Sequence, residues 1–169
     1  MTVSRRTALH LITAAASISF APLSRADDSD SARSATTHSA DALPMVTVNK
    51  DPTCSCCTGW ADHLRAEGFP VTEVATSDLK AVKTRLGVPT ELAGCHTAEV
   101  GGYVIEGHVP AVAIKRLLAE RPAATGLAVP GMPAGSPGMG GEPEIYEVTL
   151  FHPGGRTSFG RYQGANQLP

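Results

Sequence analysis

Long apolar runs and an excess of positive charge are both missing from this chain of 169 residues. The longest apolar stretch, residues 9–20, is too short to span a bilayer comfortably, and no second one follows it. Lysine and arginine number 14 against 16 aspartate and glutamate residues. No segment is repeated, which argues against a repeat architecture. We therefore predict one globular domain without a membrane-spanning segment.

The apolar stretch near the N-terminus is typical of an export signal. Arg5 and Arg6 precede it, and Ser24 and Ala26 place small residues where a signal peptidase reads the chain. We predict that residues 1–26 form a signal peptide that is cleaved after Ala26. The arginine pair resembles a twin-arginine signal, which exports folded proteins, and an ordinary secretory signal is the alternative.

Export determines the charge and the redox surroundings of the mature chain. Cleavage removes three arginines and no acidic residue, which leaves 11 basic against 16 acidic residues and a net charge of −5. This charge argues against nucleic acid as a partner. In the oxidising periplasm, the predicted location, cysteines are expected to be paired, bound to metal or kept reduced.

The mature chain divides by composition into three parts. Residues 27–44 are rich in serine, alanine, aspartate and threonine without a periodic apolar pattern, which predicts a flexible leader. Residues 45–162 carry the patterns of helices and strands and form the predicted metal-binding domain. Residues 163–169 are predicted to be a disordered C-terminus.

Alternating β-branched runs and capped amphipathic stretches predict seven elements in the order βαβαββα. The strands are expected at residues 45–48, 69–74, 97–100 and 103–106, and the helices at 56–67, 78–86 and 111–120. Gly101-Gly102 indicates a tight turn between the last two strands. The first two strands are joined through a helix, as a parallel pair requires. This order predicts an α/β fold of the thioredoxin-like kind, with a mixed sheet and helices on both faces.

After this core the chain changes character. Residues 126–141 are dominated by glycine, proline and methionine and show neither a helical nor a strand period, which predicts a long loop. Residues 145–151 and 156–162 then alternate like strands around a His152-Pro-Gly-Gly155 turn. A C-terminal β-hairpin is therefore expected after the loop.

Three of the four cysteines lie between the first strand and the first helix, as Cys54-Ser-Cys-Cys57. The Cys-x-x-Cys spacing of Cys54 and Cys57 allows two thiols at a helix start to form a disulfide or to bind a metal. The helix dipole and the free N–H groups there favour the thiolate. Cys56 does not fit a simple dithiol enzyme, because a third thiol between the two invites wrong pairings.

The positions of the cysteines favour a cluster of soft metal ions. Two adjacent helical residues diverge by about 100°, so Cys56 and Cys57 are awkward ligands for one tetrahedral ion. Thiolates can instead bridge several soft ions, and Cu(I) is such an ion. Cys95 precedes the third strand, where thioredoxin-like proteins usually carry a cis-proline that this sequence lacks. We predict a cluster of several Cu(I) ions bound by Cys54, Cys56, Cys57 and Cys95.

Histidine and methionine side chains are further candidates for metal ligands. His96 is a ligand, a hydrogen-bond donor to a thiolate or an ordinary polar residue. Met132 and Met139 are thioether ligands for Cu(I), or apolar side chains that hold the loop against the sheet. His108 is expected to have a structural role, and His63 to face solvent without a function.

Together these motifs resemble the exported copper-resistance CopG family, which is unrelated to the ribbon-helix-helix repressor of the same name. The resemblance rests on residues 50–60, Cys95-His-Thr97, residues 100–110 and residues 127–139, in this order, and covers residues 46–162. It implies a thioredoxin-like protein that binds copper through the same four cysteines. It also implies a Cu(I) cluster with redox character in bacterial copper homeostasis. The expected partners are copper ions and other periplasmic copper-handling proteins.

Three functions stay open at this point. The first is a periplasmic protein that binds Cu(I) for copper resistance, with or without Cu(I)/Cu(II) redox activity. The second is a thiol-disulfide oxidoreductase with Cys54 as the nucleophile and Cys57 as the resolving thiol. The third is a structural module in which zinc or an iron-sulfur cluster holds loops together.

Overall fold

The structure, a computed structural model, describes residues 42–169. Its helices are α1 (Ser55–Ala66), α2 (Leu79–Arg85) and α3 (Ala111–Glu120), with a short 3-10 helix at Thr90–Leu92. Its strands are β1 (Val46–Lys50), β2 (Val71–Ala75), β3 (His96–Val100), β4 (Tyr103–Glu106), β5 (Gly126–Ala128), β6 (Ile145–His152), β7 (Gly155–Gln163) and β8 (Asn166–Gln167). The predicted signal peptide, and the predicted leader before residue 42, lie outside the described residues.

These strands form one sheet in the order β2-β1-β3-β4-β5-β6-β7-β8. β1 pairs with β2 in parallel, and β4 with β5. The other neighbouring strands are antiparallel. The prediction of an α/β fold with a mixed sheet and three helices is confirmed, and the elements from β1 to α3 follow the expected βαβαββα order. Within residues 42–169, no helix is long and apolar enough to cross a membrane.

The main core lies on one face of this open sheet, under α1 and α3. Val48 of β1 packs there with Trp60 and Leu64 of α1 and with Ile114 of α3, and all four are fully buried. Since side chains alternate along a strand, the intervening residues of the sheet face the other way. Burial of these large side chains contributes roughly 1.5–3 kcal/mol each, which fixes α1 and α3 on this face.

The opposite face of the sheet carries α2 and a smaller core. Leu92, Val104 and Phe151 are buried together there, with Leu86 packed against them. Polar contacts supplement this core, since Lys83 of α2 reaches the strands beneath it. The three helices therefore lie on both faces of the sheet.

The pairing of β1 with β3 brings two chain segments to one edge of the sheet. Lys50, the last residue of β1, pairs with His96, the first residue of β3. The loop that follows β1 and the segment that precedes β3 consequently emerge side by side. The first of these carries three cysteines, and the second carries Cys95.

Three segments of the described chain are more ordered than the sequence suggests. Leu43, placed in the predicted leader, packs against the main core. Residues 126–128, expected to begin the long loop, form β5 instead. Asn166–Gln167, placed in the predicted disordered terminus, forms β8 against β7. These short strands have little periodicity of their own, and the neighbouring strands supply their hydrogen bonds.

The expectation that His63 faces solvent is wrong. Its side chain is half-buried, and its Nε2 atom accepts a hydrogen bond of 3.1 Å from the backbone N–H of Ala111. Ala111 is the first residue of α3, and Pro110, the N-cap of that helix, has no side-chain capping bond. His63 therefore caps α3 from the neighbouring helix, satisfying one of the free N–H groups that every helix start leaves.

This cap makes the stability of the protein depend on pH. Burial lowers the pKa of His63, because a desolvated imidazolium is disfavoured and the protonated ring has no lone pair to accept the bond. The stabilisation is present above the unfolded pKa of about 6.5, and it is lost as pH falls through that value toward the lower folded pKa. We expect urea titrations at pH 7, 6 and 5 to show a steeper loss of unfolding free energy in the wild type than in His63→Gln. The difference in slope is at most about 1.4 kcal/mol per pH unit, and parallel curves would contradict the capping role.

Candidate metal centre

The first three cysteines are held by a tight turn at the start of α1. The Asp51 carboxylate accepts hydrogen bonds from the backbone N–H and the hydroxyl of Thr53, which shapes the turn. Cys54 is the N-cap of α1 and has no side-chain capping bond. The Cys54 sulfur forms a disulfide with Cys57. The Cys56 sulfur lies 3.5 Å from the Cys54 sulfur. Three sulfurs therefore crowd the positive end of one helix dipole.

Cys95 completes a group of four sulfurs. The Sγ atoms of Cys54, Cys56, Cys57 and Cys95 all lie within 4.8 Å of one another. The Cys57 sulfur also lies 3.8 Å from the backbone oxygen of Cys95. Once the disulfide is reduced, thiolates this close to one another can bridge soft metal ions.

In the metal-free protein, Cys95 is a neutral thiol. Burial, and after it the neighbouring Cys56, raises the pKa of Cys95 to about 12, because a thiolate at this place is poorly solvated. A metal ion binds the thiolate, so binding at this sulfur must displace a proton. The site as described thus combines one disulfide with two thiols, those of Cys56 and Cys95.

The sequence analysis missed His108 as part of this site. Its Nε2 atom lies 3.0 Å from the Cys95 sulfur, and its Nδ1 atom lies 2.7 Å from the backbone oxygen of Pro137. A carbonyl can only accept, so Nδ1 carries the hydrogen and Nε2 presents a lone pair to the sulfur. Metal-binding histidines usually donate their second N–H to a carbonyl or carboxylate in this way. Burial also lowers the pKa of His108, which keeps that lone pair available.

His96 also lies beside Cys95, and its ring centroid is 5.0 Å from that of His108. Its Nδ1 atom is 3.4 Å from the Cys95 sulfur, and its ring centroid is 4.4 Å from that of Trp60. The ring is fully buried, and burial together with His108 lowers the pKa of His96 to about 3, so it is neutral. Its Nε2 atom has no hydrogen-bond partner among the described residues. Cys95, His96 and His108 form a second group of potential ligand atoms within 4.8 Å of one another.

The glycine-rich loop after β5 covers the start of α1. A Cβ atom at Gly138 would lie 2.6 Å from the backbone oxygen of Cys56 and 2.4 Å from the backbone nitrogen of Trp60, so only glycine fits there. Of the two predicted thioether ligands, Met139 directly follows this contact and is half-buried. Met132 is 59% exposed. The structure thus places Met139 in the segment that covers the cysteines and Met132 toward solvent.

The donor set consists of thiols and imidazoles. Thiolates and thioethers select soft ions such as Cu(I), and imidazole suits copper and zinc. Lys50 is one cation near the site, and its ammonium lies 3.5 Å from the backbone oxygen of Cys54 and 3.7 Å from the Glu73 carboxylate. The arrangement can bind soft metal ions when reduced, and the Cys54–Cys57 disulfide can accept two electrons and two protons to give two thiols.

Comparisons with known proteins find one family model and two solved structures. The family model, described as "Protein of unknown function, DUF411", matches residues 92–139. That range contains Cys95, His96 and His108 but begins after the first three cysteines. The structures are described as "Copper resistance protein copG- Form 1" and "Copper resistance protein copG- Form 2", and each is 43% identical to this chain with a TM-score of 0.67. They align over 72% and 71% of this chain and over 99% and 98% of their own. A search of the curated proteins finds no match.

Proposed function

Because the chain belongs to the CopG copper-resistance family, we propose that it binds Cu(I) as a thiolate-bridged cluster of several ions. The observation that carries the proposal is the group of four sulfurs within 4.8 Å of one another. One Cu(I) ion needs only two or three thiolates, so four sulfurs this close favour several ions that share ligands. In this proposal Cys54, Cys56, Cys57 and Cys95 are the ligands.

Binding through all four sulfurs requires the disulfide to be opened first. Reduction of Cys54–Cys57 takes two electrons and two protons and yields two thiols. Each thiol then loses its proton when it binds copper. The disulfide is accordingly the metal-free, oxidised state of the site, and copper loading depends on the redox state of the compartment.

Two histidines and two methionines are proposed as further ligands. The free lone pair of His108, 3.0 Å from the Cys95 sulfur, makes it the first nitrogen ligand to test. His96 is the second, because its neutral ring also faces that sulfur. We propose Met139 and Met132 as thioether ligands, with Met132 reaching the cluster only if its loop moves.

The cellular setting of this proposal follows from the N-terminal sequence and the fold. Residues 1–26 would direct the chain to the periplasm by the twin-arginine route, where copper and other copper-handling proteins are its partners. The order β2-β1-β3-β4 with α1 and α3 on one face supports a thioredoxin-like core. Such a core would hold copper that cycles between Cu(I) and Cu(II) in copper resistance.

A metal titration under anaerobic conditions tests the proposal. The mature protein is reduced with a phosphine, freed of reductant and titrated with Cu(I) against a chromophoric Cu(I) chelator. We expect more than one Cu(I) per chain, with copper-sulfur distances in X-ray absorption and loss of all four free thiols. Binding of a single zinc ion in preference to copper, with unfolding on chelation, would instead support a structural zinc module. Iron and inorganic sulfide in the purified protein would support an iron-sulfur module.

The Cys54–Cys57 disulfide favours a second candidate, a thiol-disulfide oxidoreductase. In that function Cys54 attacks a substrate disulfide and Cys57 resolves the mixed disulfide. The same reduced sample is therefore mixed with a dithiol-disulfide substrate pair. Rapid turnover together with no retained Cu(I) would replace the first proposal with this one.

A further inference from the structure

We propose that Glu106 and Lys83, on the face of the sheet opposite α1, are positioning residues that hold Cys95 and His96 in place for metal. This inference rests on the proposed Cu(I) site and concerns residues that touch no ligand atom. Glu106 is the last residue of β4 and is fully buried. Lys83 lies on α2, and its ammonium forms an ion pair with the Glu106 carboxylate.

The Glu106 carboxylate accepts hydrogen bonds from the two residues that flank the proposed ligands Cys95 and His96. Oε1 of Glu106 accepts a hydrogen bond of 2.6 Å from the backbone N–H of Gly94, and Oε2 accepts one of 2.7 Å from the hydroxyl of Thr97. Cys95 and His96 are the two residues between these anchors. Lys83 also donates to the Thr97 hydroxyl over 2.9 Å. The side chains of Glu106, Lys83 and Thr97 and the backbone N–H of Gly94 form one hydrogen-bonded network around the segment at the start of β3.

The segment that carries Cys95 and His96 also contacts the segment that carries His108. Gly107 donates its N–H to the backbone oxygen of His96 over 3.1 Å. A Cβ atom on Gly94 would lie 2.8 Å from the Cα atom of Gly107, so the two backbones are in close contact. Glu106 immediately precedes Gly107. Its carboxylate therefore fixes the distance between the Cys95 sulfur and the His108 ring.

A buried ion pair is weak support for stability alone. Removing two charges from water costs about as much as their attraction returns, and apolar pairs of similar size are often as stable. The bonds to Gly94 and Thr97 can be made only by a polar side chain at residue 106. Groups that orient metal ligands in this way typically change metal affinity about 10- to 100-fold when removed. Positioning of the ligands, rather than stability, accounts for the buried carboxylate at residue 106.

The double variant Lys83→Met/Glu106→Leu separates position from stability. It removes both charges together, so no charge is left unpaired, and the buried volume is kept. We expect the variant to fold with a modestly lower thermal midpoint, because the Gly94 N–H and the Thr97 hydroxyl lose their acceptor while the cost of burying two charges is removed. We expect its Cu(I) affinity to fall about 10- to 100-fold. X-ray absorption should show fewer sulfur neighbours per copper, because Cys95 is no longer held beside the other three sulfurs.

Arg85→Met/Glu99→Leu is the matched control. This pair also links α2 to the sheet, at 3.6 Å, but its side chains are 61% and 43% exposed and the charges touch neither Gly94 nor Thr97. It should bind Cu(I) like the wild type. Thr97→Val removes one anchor while both charges of the buried pair remain, and it should weaken Cu(I) binding in the same direction by a smaller factor. Its result decides the question if the double variant does not fold.

Alkylation of Cys95 in the reduced, metal-free protein gives a second readout that does not depend on copper. Iodoacetamide labelling, followed at Cys95 by peptide mass spectrometry, should be faster in Lys83→Met/Glu106→Leu than in the wild type. Faster labelling in a protein whose wild type binds no Cu(I) would refute the copper proposal and leave the positioning role intact. Wild-type affinity and a wild-type labelling rate in the folded variant would overturn the positioning role alone.

Discussion

Replacing Cys56 with serine is expected to abolish formation of the copper cluster while the Cys54–Cys57 disulfide still forms. The two expectations differ because Cys56 takes no part in that disulfide, although its sulfur lies 3.5 Å from Cys54. A hydroxyl is a hard ligand that does not bridge Cu(I) ions, so the cluster loses a bridging atom. The affinity should therefore fall by more than the roughly 10- to 100-fold that loss of a supporting group costs. Competition with a Cu(I) chelator measures this loss, and mass spectrometry of the oxidised protein reports the disulfide.

Cys95→Ser should lower Cu(I) binding in the same way, since this sulfur belongs to the same group of four. Met45→Leu serves as the matched control for removal of a sulfur. Met45 lies just before β1, at the opposite end of that strand from the cysteines, and is 52% exposed. It should leave the affinity unchanged. Retention of wild-type stoichiometry in Cys56→Ser would mean that Cys54, Cys57 and Cys95 suffice, and the proposal of a cluster held by four thiolates would then be wrong.

Local signals in the sequence account for most of the fold. The helix predicted at 111–120 is found with the same bounds, because Pro110 and the apolar stripe mark its start and its buried face. Gly101 and Gly102 both have positive φ, 56° and 90°, as the predicted tight turn requires. The C-terminal hairpin is likewise found, as β6 and β7. Each of these elements is specified within about ten neighbouring residues.

The role of His108 was within reach of the sequence but needed the strand register as well. The turn at Gly101-Gly102 pairs Val100 with Tyr103, and the ladder runs on to Thr97 opposite Glu106. Continuing the same register two further steps places Cys95 opposite His108. The hairpin and the Gly-Gly turn were predicted, so this count was available from the residues alone.

Contacts between distant segments were not available in this way. The docking of the loop onto α1 depends on Gly59 and Gly138, and a Cβ atom at Gly59 would lie 3.2 Å from Gly138. Neither glycine has a partner that its neighbours in sequence reveal. The buried network of Glu106 is similar, since one of its donors comes from α2 and another from Gly94. Charged residues look the same in a sequence whether they are solvated or buried in pairs.

Replacing Gly138 with alanine is expected to detach the loop from α1 and to destabilise the protein strongly. Gly138 has φ +83°, a conformation that costs other residues roughly 1–2 kcal/mol. Its Cβ atom would also lie 2.4 Å from the backbone nitrogen of Trp60, and overpacking of this kind costs typically 1–3 kcal/mol. The combined loss in unfolding free energy, about 2–5 kcal/mol, is measurable by urea titration. Detachment should also remove the Pro137 carbonyl from His108 and weaken Cu(I) binding.

Two glycines in the same loop separate the causes of this effect. Gly131 has φ +75° but open space around its Cα atom, so Gly131→Ala should cost only the conformational strain of roughly 1–2 kcal/mol. Gly140 has open space and no positive φ, so Gly140→Ala should change stability by less than about 0.5 kcal/mol. Limited proteolysis adds an independent measure, because only Gly138→Ala should expose the loop to cleavage. Equal stabilities of Gly138→Ala and Gly131→Ala would mean that the contact with α1 contributes nothing, and the loop would then not be a cover for the cysteines.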